Sequence, residues 1–168
     1  MSPPLEIREI RPKDRLLTPA FARILGVQMA FGLSYAAFLL LPKFLRVEFN
    51  ASATQIGWIA GAAVVAAAVF SPVVGILGAR LPKRLVLSVG MAAAVVAALG
   101  FGWIGGIGPH VYVLRALQGF SWAAIVTVTA TLVADTVPRE RLAQAIGCLG
   151  LSMLIMNGLP PAVPEPIA

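Results

Sequence analysis

Two residue types central to site chemistry are almost missing from this chain: it has one cysteine, Cys148, and one histidine, His110. A lone cysteine excludes an intramolecular disulfide and a cysteine metal cluster; packing within a helix is its expected role. His110 follows Pro109 in a turn and has no partner at metal-ligand spacing. Acids are scarce too. The seven are Glu6, Glu9, Asp14, Glu48, Asp135, Glu140 and Glu165, and none falls inside a long apolar run. A membrane-embedded hydrolase needs a nucleophile–base or metal constellation within the membrane, and neither His nor acid is available there. Charged residues make up only 12% of the chain, against about 25% in soluble domains. No metal site and no cofactor are expected.

What remains is apolar. The chain is 59% hydrophobic, with a mean hydropathy of +0.89. Nothing is charged from Phe49 to Ala79, or from Leu85 to Leu114. Runs longer than about 20 residues are enough to cross a bilayer as helices. The net charge of +6 would suggest nucleic acid in a soluble protein, but the positions of the charges argue for a membrane. Of the 13 Lys and Arg, ten cluster at the N-terminus (Arg8, Arg11, Lys13, Arg15, Arg23) and in two loops (Arg80, Lys83, Arg84; Arg139, Arg141). Lys43 and Arg46 lie on the other side, and Arg115 lies within an apolar run. This is the positive-inside pattern. It predicts a multi-pass protein of the plasma membrane with a cytoplasmic N-terminus, a lipid bilayer for its surroundings and no nucleic-acid partner.

The pattern predicts an all-α polytopic bundle of about five spans. Residues 1–20 are a polar tail, too long and too mixed in charge to be a cleaved signal peptide. The spans cover about 21–42, 53–78, 84–104, 110–134 and 142–159. Residues 43–52 form an outer loop. Ser52 and Gln55 read as a capping box opening the second span, and Pro72 is expected to kink it. Gly105 to Pro109 make an outer turn. The fifth span should stop near Leu159, because Pro160, Pro161, Pro164 and Pro166 follow. Ala60, Gly61, Ala67, Ala68 and Gly75 suit close helix packing in lipid. Trp58, Trp103 and Trp122 read as interfacial or packing aromatics.

Three ordered motifs carry a family resemblance. Gly75-Ile-Leu-Gly-Ala-Arg-Leu-Pro-Lys-Arg84 is similar to the loop between the second and third helices of major facilitator superfamily transporters, written Gly-x-Leu-Ala-Asp-Arg-x-Gly-Arg-Arg. Gly75, Leu77, Arg80, Lys83 and Arg84 fit; Ala79 replaces the Asp and Pro82 the second Gly. Arg115-Ala-Leu-Gln-Gly119 resembles the fourth-helix signature, followed by the small residues Ala123 and Ala124. Asp135, Pro138, Arg141 and Ala145-Ile-Gly147 resemble the link between the fourth and fifth helices.

The resemblance covers about residues 20–160. It implies alternating-access transport of an unknown small solute, with efflux as the expected direction and either proton coupling or uniport as the mode. The family has twelve helices in two six-helix halves, so five spans imply a truncated N-terminal half, inactive alone, that associates with its missing half or oligomerises. The second reading is a small multispan scaffold or partner protein without transport.

Candidate residues follow. Arg115, Gln118, Gly119, Trp122 and Thr129 share one helical face. The resemblance places that face on the central cavity and implicates the Arg in proton-coupled efflux. Arginine does not give up its proton in proteins, so Arg115 is not itself a proton carrier. Either Arg115 faces the cavity, which the shared face of Gln118 favours, or it snorkels to the headgroups from about 9 Å below the outer end. Gln28 and Tyr35, seven apart, share a face and either line the cavity or bond to a neighbouring helix. Asp135 is expected to pair with Arg80 or Arg84 at the cytoplasmic loops.

Overall fold

The structure is a computed structural model and describes residues 18–162. Most of the tail and most of the proline-rich end lie outside the described residues. Everything described is helical or a short connection, with no strand among the described residues. The elements are α1 (Pro19–Ala36), a 3-10 turn (Ala37–Leu40), α2 (Leu41–Phe49), α3 (Ala53–Arg80), α4 (Lys83–Phe101), α5 (Pro109–Thr136), a second 3-10 turn (Arg139–Arg141) and α6 (Leu142–Ala162).

Several boundaries differ from the sequence expectation, each for a local reason. Residues 43–49 are helical rather than loop. Pro42 sits in the first turn of α2, where its missing N–H costs nothing and its fixed φ suits a helix. The chain therefore tightens into 3-10 geometry and continues as one 31-residue segment, Pro19–Phe49. Asn50, at φ 50°, ends it in the left-handed region, which Asn tolerates better than most residues. The expected capping box is present: Gln55 N–H donates to Ser52 Oγ at 3.2 Å, and Ser52 N–H to Gln55 Oε1 at 2.9 Å. Pro72 lies inside α3, which continues to Arg80. α6 runs to Ala162, beyond Leu159 and through Pro160 and Pro161. A proline ring keeps helical φ, and in a last turn each proline forfeits one bond.

Four segments are long and apolar enough to cross a membrane: Pro19–Phe49, Ala53–Arg80, Lys83–Phe101 and Pro109–Thr136. α6 adds 21 residues, about 31 Å of helix at 1.5 Å per residue. Large apolar side chains face outward all round, among them Val64, Val69, Ile76, Val95, Leu99 and Leu154. In water such a surface would aggregate; in hydrocarbon it costs nothing. The protein is an integral membrane protein with an all-α fold.

α5 is the hub. It packs on α3 and α4 and touches α1, while α1 packs chiefly on α6. Gly119 sets the α3–α5 approach. A Cβ there would lie 2.2 Å from Ala63 O and 2.8 Å from Ala66 Cβ. The α3 packing face is therefore Ile59, Ala63, Ala66 and Val74, the buried residues of that helix. Gly61 and Gly75 have nothing within 4 Å of a built Cβ, so these two do not serve the close packing expected of them. Cys148 packs beside Phe21, Val133, Ala145 and Leu149.

Candidate functional site

The polar interior of the bundle belongs mostly to α5. Arg115 is 7% exposed, Gln118 2% and Thr129 1%. Because Gly119 lets α5 touch α3, a side chain four residues earlier reaches the α3 backbone. Arg115 Nε donates to Ile59 O at 3.1 Å. That carbonyl keeps a lone pair beyond its own helical bond. The Arg115 guanidinium also donates to Gln118 Oε1. Gln118 is thereby turned so that its amide nitrogen has no partner.

Burial of a guanidinium demands hydrogen bonds or a counter-charge. The described acids, Glu48, Asp135 and Glu140, all lie at or beyond helix ends. Among the described residues, Arg115 is met by dipoles rather than by a carboxylate.

Aromatic rings cluster between α1 and α5. The Tyr35 and Trp122 rings are centred 4.6 Å apart, and Phe31 lies 6.0 Å from Trp122. Further along α1, Gln28 is 4% exposed. Its Oε1 accepts from Thr129 Oγ1 at 3.0 Å, and its amide points to Met153 Sδ at 3.8 Å. One glutamine therefore ties α1 to both α5 and α6.

All five cavity candidates lie on α1 and α5: Arg115 meets Gln118, Tyr35 meets Trp122, and the fifth, Gln28, meets Thr129. Phe31, Ser121, Met153 and Asn157 were missed. Ser121 Oγ and Asn157 Oδ1 are buried without partners. Their helices are apolar nearly all round, so periodicity offers no signal for which side of Ser121 or Asn157 is interior. Phe31 carried a usable signal: it precedes Tyr35 by one helical turn.

The loop motif is less assembled. α3 ends at Arg80 and α4 begins at Lys83. Asp135 pairs with Lys83, not with Arg80 or Arg84 as expected. Lys83 opens α4, and its flexible stem reaches the end of α5, where Asp135 lies. Arg80 and Arg84 are exposed, Arg141 is half-buried, and Gly75 is exposed with open space at its Cα.

Apolar helices on all sides, with a buried Arg–Gln pair on the central one, define a polytopic membrane protein built round a polar seam. The Major Facilitator Superfamily model matches residues 24–164. The chain belongs to that family of transporters. No curated protein and no solved structure matches it.

Proposed function

We propose that this chain forms one bundle of a small-solute exporter of the plasma membrane, with its N-terminus in the cytoplasm. Gln28, Tyr35, Arg115, Gln118 and Trp122 line the solute path at the seam between α1 and α5. The observation that carries this reading is Arg115, the one buried charge among the described residues. A charge within a span is costly and marks a substrate or ion pathway by default. Efflux rests on the likeness of residues 115–119 to the signature of proton-coupled exporters. Arg115 biases a neighbouring proton site rather than titrating. The carboxylate that carries the proton is either Asp135 or an acid of a second bundle. Alternating access requires two bundles that rock against each other, so these spans alone move no solute.

Single cysteines in a Cys148→Ser background test both path and orientation. In intact cells a membrane-impermeant thiol reagent labels Asn50→Cys and spares Arg80→Cys. Tyr35→Cys and Trp122→Cys react with a small water-soluble reagent, and the lipid-facing Val95→Cys does not. Equal labelling at positions 50 and 80 overturns the orientation. Inert positions 35 and 122 overturn the solute path and leave the scaffold reading.

A further inference from the structure

The polar seam holds hydrogen-bonding capacity that the described residues do not use. Gln118 Nε2 is buried without a partner among them, and so is Ser121 Oγ, one turn further along α5. Gln118 is 2% exposed and Ser121 0%. The Gln118 amide cannot turn round to satisfy itself. Its N–H groups would then face the Arg115 guanidinium, which has donors only. Burying a polar group without a partner is unfavourable, so both atoms favour a ligand that bonds to them.

Arg115 adds a charge that is not met. Its acceptors, Ile59 O and Gln118 Oε1, are both neutral. Water would satisfy an amide or a hydroxyl but brings no counter-charge. Residues 115, 118 and 121 follow one another at three-residue spacing, so each neighbours the next on the helix surface. A guanidinium, an amide N–H and a hydroxyl are together a donor set for a carboxylate, whose oxygens only accept. A single cation matches a monoanion better than a phosphate dianion. Trp122, one turn beyond Gln118, stands with Phe31 and Tyr35 in the aromatic cluster, against which an apolar body can lie. α5 packs on α3 and α4 but only touches α1, so the α1 side is the side of entry.

We propose that the solute of this path is a small organic carboxylate with an apolar body. Arg115 is its counter-ion, and the Gln118 amide and the Ser121 hydroxyl donate to its oxygens. The proposal rests on the transport reading above and names its solute class. A carboxylate fixed to a second bundle is a poorer occupant, because Gln118 and Ser121 are enclosed within this one.

Benzoate is the probe, with benzamide as its neutral counterpart and chloride as a small inorganic anion. Benzoate should bind the detergent-solubilised 168-residue chain saturably in equilibrium dialysis and raise its melting temperature; benzamide and chloride should do neither. Gln118→Glu sets a carboxylate beside Arg115 within the chain. It should raise the melting temperature without ligand and abolish benzoate binding. Ser121→Ala, a smaller change that serves should Gln118→Glu not fold, should weaken benzoate binding several-fold. Equal binding of benzoate and benzamide, or of benzoate and chloride, overturns the proposal. So does undiminished benzoate binding in folded Gln118→Glu or Ser121→Ala. Absent benzoate binding with reactive Tyr35→Cys and Trp122→Cys overturns the carboxylate alone; inert positions 35 and 122 overturn the path even where benzoate binds.

Discussion

Thr129 shows how a hydroxyl is accommodated in the interior of this bundle. Its Oγ1 contacts the α5 carbonyls of Ile125 at 2.7 Å and Val126 at 3.2 Å, and also Gln28 Oε1 at 3.0 Å. Only the last of these crosses between helices. Hydrogen bonds between membrane helices average about 0.6 kcal/mol and reach roughly 1.7. A buried acceptor left without its donor costs about 1–3 kcal/mol. Thr129→Val keeps the shape, removes the donor and strands Gln28 Oε1. It should lower detergent thermal stability by about 1 kcal/mol. The double variant with Gln28→Leu should lose less than the sum of the two single changes. Strict additivity in that double-mutant cycle would mean that the contact carries no coupling. Arg115 obeys the same logic at higher stakes, because its charge is met by the Ile59 carbonyl and the Gln118 amide oxygen.

The α3–α5 crossing is the tightest helix contact and depends on one missing side chain. A methyl at Gly119 would press on the Ala63 carbonyl and the Ala66 methyl, and backbone cannot rotate out of the way as a side chain can. Overpacking of this kind costs about 1–3 kcal/mol. Gly119→Ala should therefore lower the melting temperature. Gly75→Ala enters open space in the same bundle and should be neutral or stabilising, since Ala gains up to about 1 kcal/mol of helix propensity over Gly. Equal effects of the two would deny the crossing its role. By contrast the Lys83–Asp135 pair, with Asp135 61% exposed, is worth about 0–1 kcal/mol and weakens in salt. It orients the end of α5 against α4 more than it holds the two together.

At the scale of the molecule the pairings repeat. α3 packs on α5 as α6 packs on α1, the arrangement expected of inverted three-helix repeats within one transporter half. α5 is the most enclosed span, and α3 turns most of its surface outward. Polar side chains gather on α5 because protein, not lipid, surrounds it. Under the proposed transport reading, one such bundle supplies one wall of a rocking pair. The purified chain in liposomes should therefore show no saturable solute flux above empty vesicles, across a panel of drugs and sugars. Saturable flux that disappears in Arg115→Ala would overturn this and point to a pathway formed by several copies.

Composition alone determined the class, an all-α membrane protein of several long apolar helices. This follows from transfer free energy, which each residue carries whatever its neighbours. The capping box at Ser52 was legible too, because its partners are three residues apart. The helical course of residues 43–49, the choice of Lys83 over Arg80 and Arg84, and the contact of Gln28 with both α5 and α6 were not. In a helix apolar all round, the 3.6-residue pattern no longer tells inside from outside. Tertiary structure made those decisions: Gly119 brought α5 onto α3, and that approach settled which polar groups met a partner and which were left without one.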